Sequence, residues 1–484
     1  MIIENLKVSI NEFDDKNCQI KIIHSYDKAL ITNYLHNYSN GVIKHYKEDA
    51  EKVINNFVEY KEMEENSSIV AEDVLQQLLF EVENVPFPTP ENYTFKFIDL
   101  FAGIGGFRIA MQNLGGKCVF TSEWDINAQK TYRNNFGEVP FGDITKKQIK
   151  NYIPSEFDVL CAGFPCQPFS KGGFRNGFED TRGTLFFDIC DIVYKHQPKF
   201  LFLENVSNLV SHDNGNTYQV ILDSLDKLGY YFPSKPLIIS PDKFGVPVLR
   251  PRVYIPCVRK DIAIDDVDFI KNFNNYLEVE YSKTVLPIDD FLDLDLKDGL
   301  TTYENKVLKM WDEFYKGIDL KIIGFPIWSD YFKYDGDLTQ YPVWKTKFIE
   351  KNIELYKRNK NFIDFWIDKY HNLDWCVKTH KKMEWQAGDR YKTLYDCLIQ
   401  FRPSGVRVKK PDKFSTLVAM NHQQIIGKLN RKITINESKL LQSFPANYVL
   451  SNSNSIAMKQ LGNSVNVNII ENIFMLIKKR YDKG

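Results

Sequence analysis

Between residues 95 and 228 the apolar positions change rhythm repeatedly. Short, largely apolar runs, "FKFIDLF" (95–101), "KCVFTSEWD" (117–125), "FDVLCAG" (157–163) and "KFLFLEN" (199–205), have the length and composition of strands buried on both faces. Between them "GGFRIAMQNL" (105–114), "NAQKTYRNNF" (127–136) and "YQVILDSLDKL" (218–228) space their apolar residues as amphipathic helices do. This alternation predicts an α/β fold with a doubly wound, mostly parallel sheet. Upstream, "DAEKVINNFVEYKEMEE" (49–65) and "AEDVLQQLLFEV" (71–82) look helical, and "VPFPTPENY" (85–93) carries three prolines that mark a linker. No internal repeat or low-complexity tract interrupts the chain.

Composition narrows the class. At 484 residues the chain is too long for one core and predicts several domains. A hydrophobic share of 43% and a charged share of 26% are those of a soluble globular protein. No apolar run approaches the roughly 20 residues of a membrane span, and the N-terminus lacks a basic stretch followed by a long apolar one, so a cytoplasmic location without membrane contact is expected. The eight cysteines are scattered, with no CxxC pair and no histidine at zinc-ligand spacing, so neither a disulfide framework nor a metal site is indicated. The net charge of −1 conceals an asymmetry. Residues 1–90 hold 16 acidic and 8 basic residues, a balance of −8, whereas 341–432 hold 20 basic and 9 acidic, a balance of +11. A solvated face and a polyanion-binding surface both explain the basic block.

Ligands of such a sheet sit beyond the carboxyl ends of its strands, so the chemistry is sought there. "DLFAGIGG" ends the first strand. Gly103, Gly105 and Gly106 allow a tight turn and close approach to a ligand, and Glu123, 20 residues after Gly103, can accept hydrogen bonds from two ribose hydroxyls. The spacing is G-x-G-G instead of G-x-G-x-x-G, which favours a nucleoside without a diphosphate. Trp124 can stack on a purine or fill a core; Asp143 can meet an exocyclic amine or cap the next helix. In "GFPCQPFS" (163–170), Cys166 stands between Pro165 and Pro168. A packing thiol is one reading, but the two prolines exclude a helix interior or central strand and make a rigid loop that aims a side chain. Glu204, in "LENV", ends the following strand. A thiol nucleophile beside a carboxyl whose pKa burial would raise is a chemical constellation.

"FIDLFAGIGGFRIAM", "GFPCQPFS", "GFEDTRGTLFFDI", "LENV", "RPRVYI" and "LGNSVNVNII", in this order, resemble the motifs of the DNA cytosine-5 methyltransferases of bacterial restriction-modification type. The resemblance covers roughly residues 95–260 and 400–475. It implies S-adenosyl-L-methionine as methyl donor, held by Phe101, Ala102, Gly103, Gly105, Gly106, Glu123, Trp124, Asp143, Ile144, Gly163, Pro165, Leu185, Asn463 and Ser464. It implies Cys166 as the nucleophile that adds to cytosine C6, Glu204 as the acid at N3, and Arg250 and Arg252 as positive neighbours. A flipped target base is required because C6 lies inside the duplex stack; the glycine-rich "KGGFRNGFEDTR" (171–182) suits a closing loop. Where the family usually has Gln, this chain has Val248.

Double-stranded DNA is the expected partner, bound by a monomer, beside a cognate restriction endonuclease acting on the same site. Gln167, Ser170, Arg182, Lys345, Lys347, Arg402 and Arg407 are the candidate DNA contacts. The stretch "YPVWKTKFIEKNIELYKRNKNFIDFW" (341–366) mixes basic and aromatic residues suited to phosphates and base edges, and an amphipathic helix packed by Trp344, Phe348 and Tyr356 accounts for it as well. The expected division is an extension over 1–93, a catalytic domain over 94–262, a target-recognition domain over 263–455 and a returning segment over 456–484. An RNA cytosine methyltransferase and an inactive DNA-binding relative remain as alternatives.

Overall fold

The computed structural model describes residues 27–37, 47–55, 84–165, 185–297, 299–319, 324–417 and 423–481. The chain divides into two compact units: residues 1–245, 250–284 and 442–484 form the first, and residues 246–249 with 285–441 the second. The continuous part of the second unit, 285–441, lies within the 263–455 span expected from the sequence, while residues 246–249 join it from outside that span.

In the first unit, helix α1 (Asp27–Asn37) precedes β1 (Phe95–Leu100), α2 (Gly106–Asn113), β2 (Gly116–Ser122), α3 (Ile126–Phe136), β3 (Val159–Gly163), α4 (Leu185–His196), β4 (Phe200–Val206) and α5 (Asn216–Lys227). Strands β5 (Tyr230–Tyr231), β6 (Leu237–Ile239) and β8 (Arg252–Arg259) follow, while β7 (Val248–Leu249) belongs to the second unit. The sheet order is β2-β1-β3-β4-β8-β5, with β6 also on β8. Strands β1 to β4 pair in parallel and β8 runs antiparallel to β4. Side chains alternate between the faces along each strand. Ile98, Leu100, Leu160, Ala162, Leu201 and Leu203 share one core with Phe186, Ile189 and Val193 of α4 and with Ile221 and Leu225 of α5. On the other face Phe202 meets Phe107 of α2, with ring centroids 5.3 Å apart. Both faces are covered, which is why these strands are largely apolar and why the sheet is doubly wound, as the sequence predicts.

The second unit holds a six-stranded sheet in the order β15-β14-β11-β12-β10-β9. These strands are β9 (Ile327–Trp328), β10 (Lys382–Gln386), β11 (Leu398–Arg402), β12 (Gly405–Lys409), β14 (Ile425–Ile426) and β15 (Arg431–Lys432), and β13 (Phe414–Ser415) pairs with β7. Helix α6 (Thr302–Gly317) starts at a capping box in which the Thr301 hydroxyl accepts from the Glu304 amide and Glu304 accepts from the Thr301 amide. Its Trp311 and Phe314 pack with Trp366 of α8 (Lys360–Lys369). Helix α7 (Val343–Arg358) buries Ile349, Asn352 and Leu355. Trp344, expected among its packing residues, is 61% exposed.

The chain then returns to the first unit through α9 (Asn454–Asn463) and α10 (Val467–Tyr481). Polar tethers fix the return: Asn135 of α3 donates to the Val449 carbonyl at 2.7 Å and accepts from its amide at 2.8 Å. Phe474 of α10 packs edge-on against Phe200.

Candidate active site

After β1 the chain moves to β2 on one side and then back to β3 on the other, so the connections diverge at the β1/β3 boundary. A crevice opens at such a switch point beyond the carboxyl ends of the strands. The turn after β1 is tight. Phe101, a residue with a Cβ, sits at φ 55°, and Gly103 and Gly105 at 56° and 82°. A Cβ on Gly105 would lie 2.4 Å from the Phe136 ring, and one on Gly106 would lie 2.8 Å from Ser464 Oγ. A Cβ on Gly103 would meet nothing within 4 Å, so that glycine answers to backbone conformation and leaves its peptide face accessible.

Glu123 is buried and ties this turn to the end of β2. Its Oε2 accepts from the Gly103 amide at 2.7 Å, and its Oε1 from the amides of Trp124 and Asp125, each at 2.8 Å. Burial pushes its pKa up, and the three amides oppose that. Oε2 keeps a lone pair for a further donor. Trp124 is 80% exposed, which excludes a core role and leaves its ring as a platform. Asp143 does not cap the next helix, Lys147–Lys150, whose cap position is Lys146; its Oδ1 accepts from the Thr145 amide and hydroxyl. Ile144 is buried beside it and Ala102 lies buried in the turn. These side chains suit a nucleoside: an acid for ribose, a flat ring for a base and an acid for an amine.

Gly163 ends β3 opposite Glu204 of β4, and a Cβ on it would approach Glu204 Oε2 to 3.5 Å. Asn205 donates to the Phe164 carbonyl at 2.8 Å and fixes the chain where it enters the proline loop. Pro165 is exposed and Leu185, first residue of α4, half-buried. Cys166, Gln167, Ser170 and Arg182 lie outside the described residues.

The Glu204 carboxyl is buried, 3.2 Å from Arg252 Nε. Burial raises its pKa; Arg252 first and Arg250 second pull it back. Arg250 is buried too, and its Nη2 donates to the carbonyls of Gly462 and Ser464, both at 2.8 Å. The two arginines therefore act on Glu204 and on the returning segment, in addition to any effect on a thiol. Burial, then repulsion from Arg252, lowers the Arg250 pKa to about 10. Asn463 is exposed and Ser464 buried. Val248 is buried in an apolar cluster of the second unit with Val246, Ile288 and Phe414, so its side chain takes an apolar packing role.

In the second unit Arg407 of β12 forks onto Glu384 of β10, with Nη2 2.8 Å from Oε2, and Arg402 Nη1 is 3.8 Å from the same oxygen. Lys345 Nζ lies 3.9 Å from the Tyr341 ring centroid, and Lys347 is exposed. Among the described residues no group of three or more His, Cys, Asp or Glu could hold a metal, and no helix is long and apolar enough to cross a membrane.

Sequence reasoning missed several residues that build the site. Arg108 of α2 is fully buried and pairs with Glu138 at 2.8 Å, close to Asp99 of β1, whose two carboxyl oxygens have no hydrogen-bond partner among the described residues and whose pKa burial raises well above the usual range. Tyr448 donates to the Ile104 carbonyl inside the glycine turn. The signal for Arg108 was visible as a lone charge on the apolar face of "GGFRIAM"; Tyr448 lies 344 residues from its partner and left none.

The family model described as C-5 cytosine-specific DNA methylase matches residues 95–479. The chain belongs to this family. Type II methyltransferase M.HpaII of Haemophilus parainfluenzae is 48% identical over 245 residues, 50% of this chain and 67% of that protein. Type II methyltransferase M.HhaI of Haemophilus parahaemolyticus is 47% identical over 209 residues, 43% of this chain and 62% of that protein. Type II methyltransferase M.AluI of Cellulosimicrobium cellulans is 28% identical over 478 residues, covering 79% of this chain and 91% of that protein. The resemblance drawn from the ordered motifs is thereby borne out.

Proposed function

We propose that the protein transfers a methyl group from S-adenosyl-L-methionine to C5 of one cytosine in a defined duplex DNA sequence, through a covalent bond between Cys166 and C6. The observation that carries this reading is the Glu204 carboxyl, which is buried, held above the usual carboxylate range and paired with Arg252. It lies opposite Gly163, the last residue of the strand that precedes Cys166 in the sequence.

A carboxyl that keeps its proton there can donate it to cytosine N3, which makes C6 electrophilic. The Cys166 thiolate forms a bond to C6, and the displaced π electrons run through the ring toward the protonated N3, leaving C5 enamine-like. S-adenosyl-L-methionine, when bound, supplies an electrophilic methyl group. Once C5 carries the methyl group, a base removes the C5 proton, the electron pair reforms the C5–C6 double bond, the sulfur leaves as thiolate and N3 returns its proton to the Glu204 carboxylate. Glu123 holds the ribose, Trp124 stacks on the adenine, Asp143 meets its amine, and Phe101, Gly103, Asn463 and Ser464 enclose the donor. The exposed Trp124 ring and the lone pair left on Glu123 Oε2 fit that group.

The base reaches this site by leaving the stack; the expected closing loop, 171–182, lies outside the described residues. Gln167, Ser170 and Arg182 contact the DNA around the flipped nucleotide. The second unit reads the sequence, with Lys345, Lys347, Arg402 and Arg407 on phosphates and bases. The protein acts as a monomer on DNA in the cytoplasm and protects host DNA beside a restriction endonuclease of the same specificity. Incubation with radiolabelled donor and either duplex DNA or tRNA, followed by nucleoside analysis, tests this reading. Label in 5-methyldeoxycytidine is expected; label in tRNA alone, or on a cytosine amino group, would overturn it.

A further inference from the structure

Residues 138–144, which carry Asp143, run alongside β2 as an added edge of the sheet. The Phe141 amide donates to the Thr121 carbonyl at 2.9 Å, and the Phe141 carbonyl accepts from the Glu123 amide at 2.8 Å. Ser122 Oγ donates to the Gly142 carbonyl at 3.0 Å. An edge leaves outward backbone groups that need partners. At Val139 two side chains of α1 stand in for another strand. The Val139 amide donates to Thr32 Oγ1 at 2.9 Å, and the Val139 carbonyl accepts from Asn33 Nδ2 at 3.0 Å. Both side chains are fully buried and anchored on their own helix, since each also donates to the Ala29 carbonyl.

The rest of the described N-terminal stretch reinforces this grip. Leu30, Ile31 and Leu35 of α1, and Ala50 and Ile54 of the helical 47–55 stretch, share the core that contains Val139, Phe141 and Tyr152. Phe120, Phe141 and Tyr152 form a continuous ring stack, with centroids 5.1 Å and 5.2 Å apart. The Tyr152 hydroxyl at its end donates to Asp49 at 3.3 Å. On the inner side Glu138 is held by Arg108. Residues 1–94 lie outside the family match, yet α1 is bonded to the segment that bears one pocket acid and that is itself bonded to the amide of the other.

We propose that Thr32 and Asn33 are positioning residues for donor binding: by holding the Val139 peptide they place Asp143 against the adenine of the methyl donor. This rests on the donor reading above. With Val139 released, residues 138–144 lose their outer anchor, and the contact to Asp143 is made only after the segment is reordered. The loss falls on donor affinity and leaves the chemical step at saturating donor intact.

The test is calorimetric binding of S-adenosylhomocysteine, with donor KM and kcat on duplex DNA, for the full chain carrying Thr32→Val with Asn33→Leu. A loss of about tenfold in affinity is expected, near 1.4 kcal/mol for two peptide hydrogen bonds removed, with a matching rise in donor KM and kcat held. Thr32→Ser keeps the hydroxyl and should restore binding in the otherwise wild-type chain. In an Asp143→Ala background the double substitution should cost nothing further, because the contact it positions is already gone. A full tenfold loss in that background, or unchanged affinity in the folded double variant, would overturn the proposal. If the double variant does not fold, Thr32→Val alone decides, read against Thr32→Ser at matched thermal stability. A wild-type chain that fails to bind S-adenosylhomocysteine would instead refute the donor reading itself.

Discussion

Arg250→Met keeps the length and apolar stem of the side chain and deletes the guanidinium. Two opposed effects on stability can be weighed. The carbonyls of Gly462 and Ser464 each lose a charged donor at 2.8 Å, and an unmet buried acceptor costs roughly 1–3 kcal/mol, so about 2–6 kcal/mol together. Against this, burial holds the Arg250 pKa down to about 10, against an ordinary value above about 12, which amounts to roughly 3 kcal/mol that the buried charge costs and methionine does not. The net effect on stability expected is therefore small, roughly −1 to 3 kcal/mol of destabilisation. The functional loss is larger, because Ser464 stands against the glycine turn and Arg250 is one of two charges that hold the Glu204 pKa down. Donor affinity, measured by calorimetry, should fall by about ten- to a hundredfold, for about 1.4–2.8 kcal/mol of lost closure. The alkaline limb of the kcat/KM profile should move to higher pH. Arg250→Lys keeps the charge without the fork, so it should leave that limb in place and lose less donor affinity. Wild-type donor affinity together with an unmoved alkaline limb in Arg250→Met would refute this account of the residue.

Glu204→Gln retains a hydrogen-bond donor but no transferable proton. The wild-type carboxyl has a raised pKa and works protonated, so activity should decline as pH rises through that value; the variant should be slower by a factor of about 10²–10⁴ and lack the decline. A residual alkaline limb in steady-state profiles of the variant would assign it to another group. Glu123→Ala should weaken donor binding by more than the 1–3 kcal/mol of one lost hydrogen bond, because it also frees the Gly103 amide; calorimetry giving a smaller loss would limit Glu123 to the turn. Neutralising Lys345 and Lys347 should flatten the salt dependence of DNA binding by about 1–2 in log–log slope, read from titrations at several salt concentrations. An unchanged slope would move the phosphate contacts elsewhere.

How much was legible in the sequence follows from the range of the interactions involved. The doubly wound sheet was legible because strands covered on both faces are largely apolar, and 95–101, 157–163 and 199–205 are short, largely apolar runs separated by amphipathic segments. The positions of Glu123 and Glu204 near strand ends were legible because the alternation of strands and helices puts them there. Arg250 could be named but not understood, since its partners lie more than 200 residues away and are backbone carbonyls, which leave no trace in residue type. The same holds for Tyr448 on Ile104 and for Thr32 and Asn33 on Val139. Trp124 stayed open between core and platform until its exposure was known, because hydrophobic pattern cannot separate a buried ring from one presented to a ligand. Val248 shows the reverse: a departure from the family pattern at an expected polar position proves to be an apolar packing position.

The central claim is covalent catalysis by Cys166 on a flipped cytosine, and covalent trapping reads it directly. A duplex with 5-fluorocytosine at the target position, incubated with the protein and S-adenosyl-L-methionine, should give an adduct stable to denaturant, because fluorine cannot leave C5 as a proton does. Peptide mapping should find the modified base on Cys166, and Cys166→Ala should form no adduct while binding the donor as the wild type does. An adduct on any other residue, or one formed equally by Cys166→Ala, would contradict the mechanism.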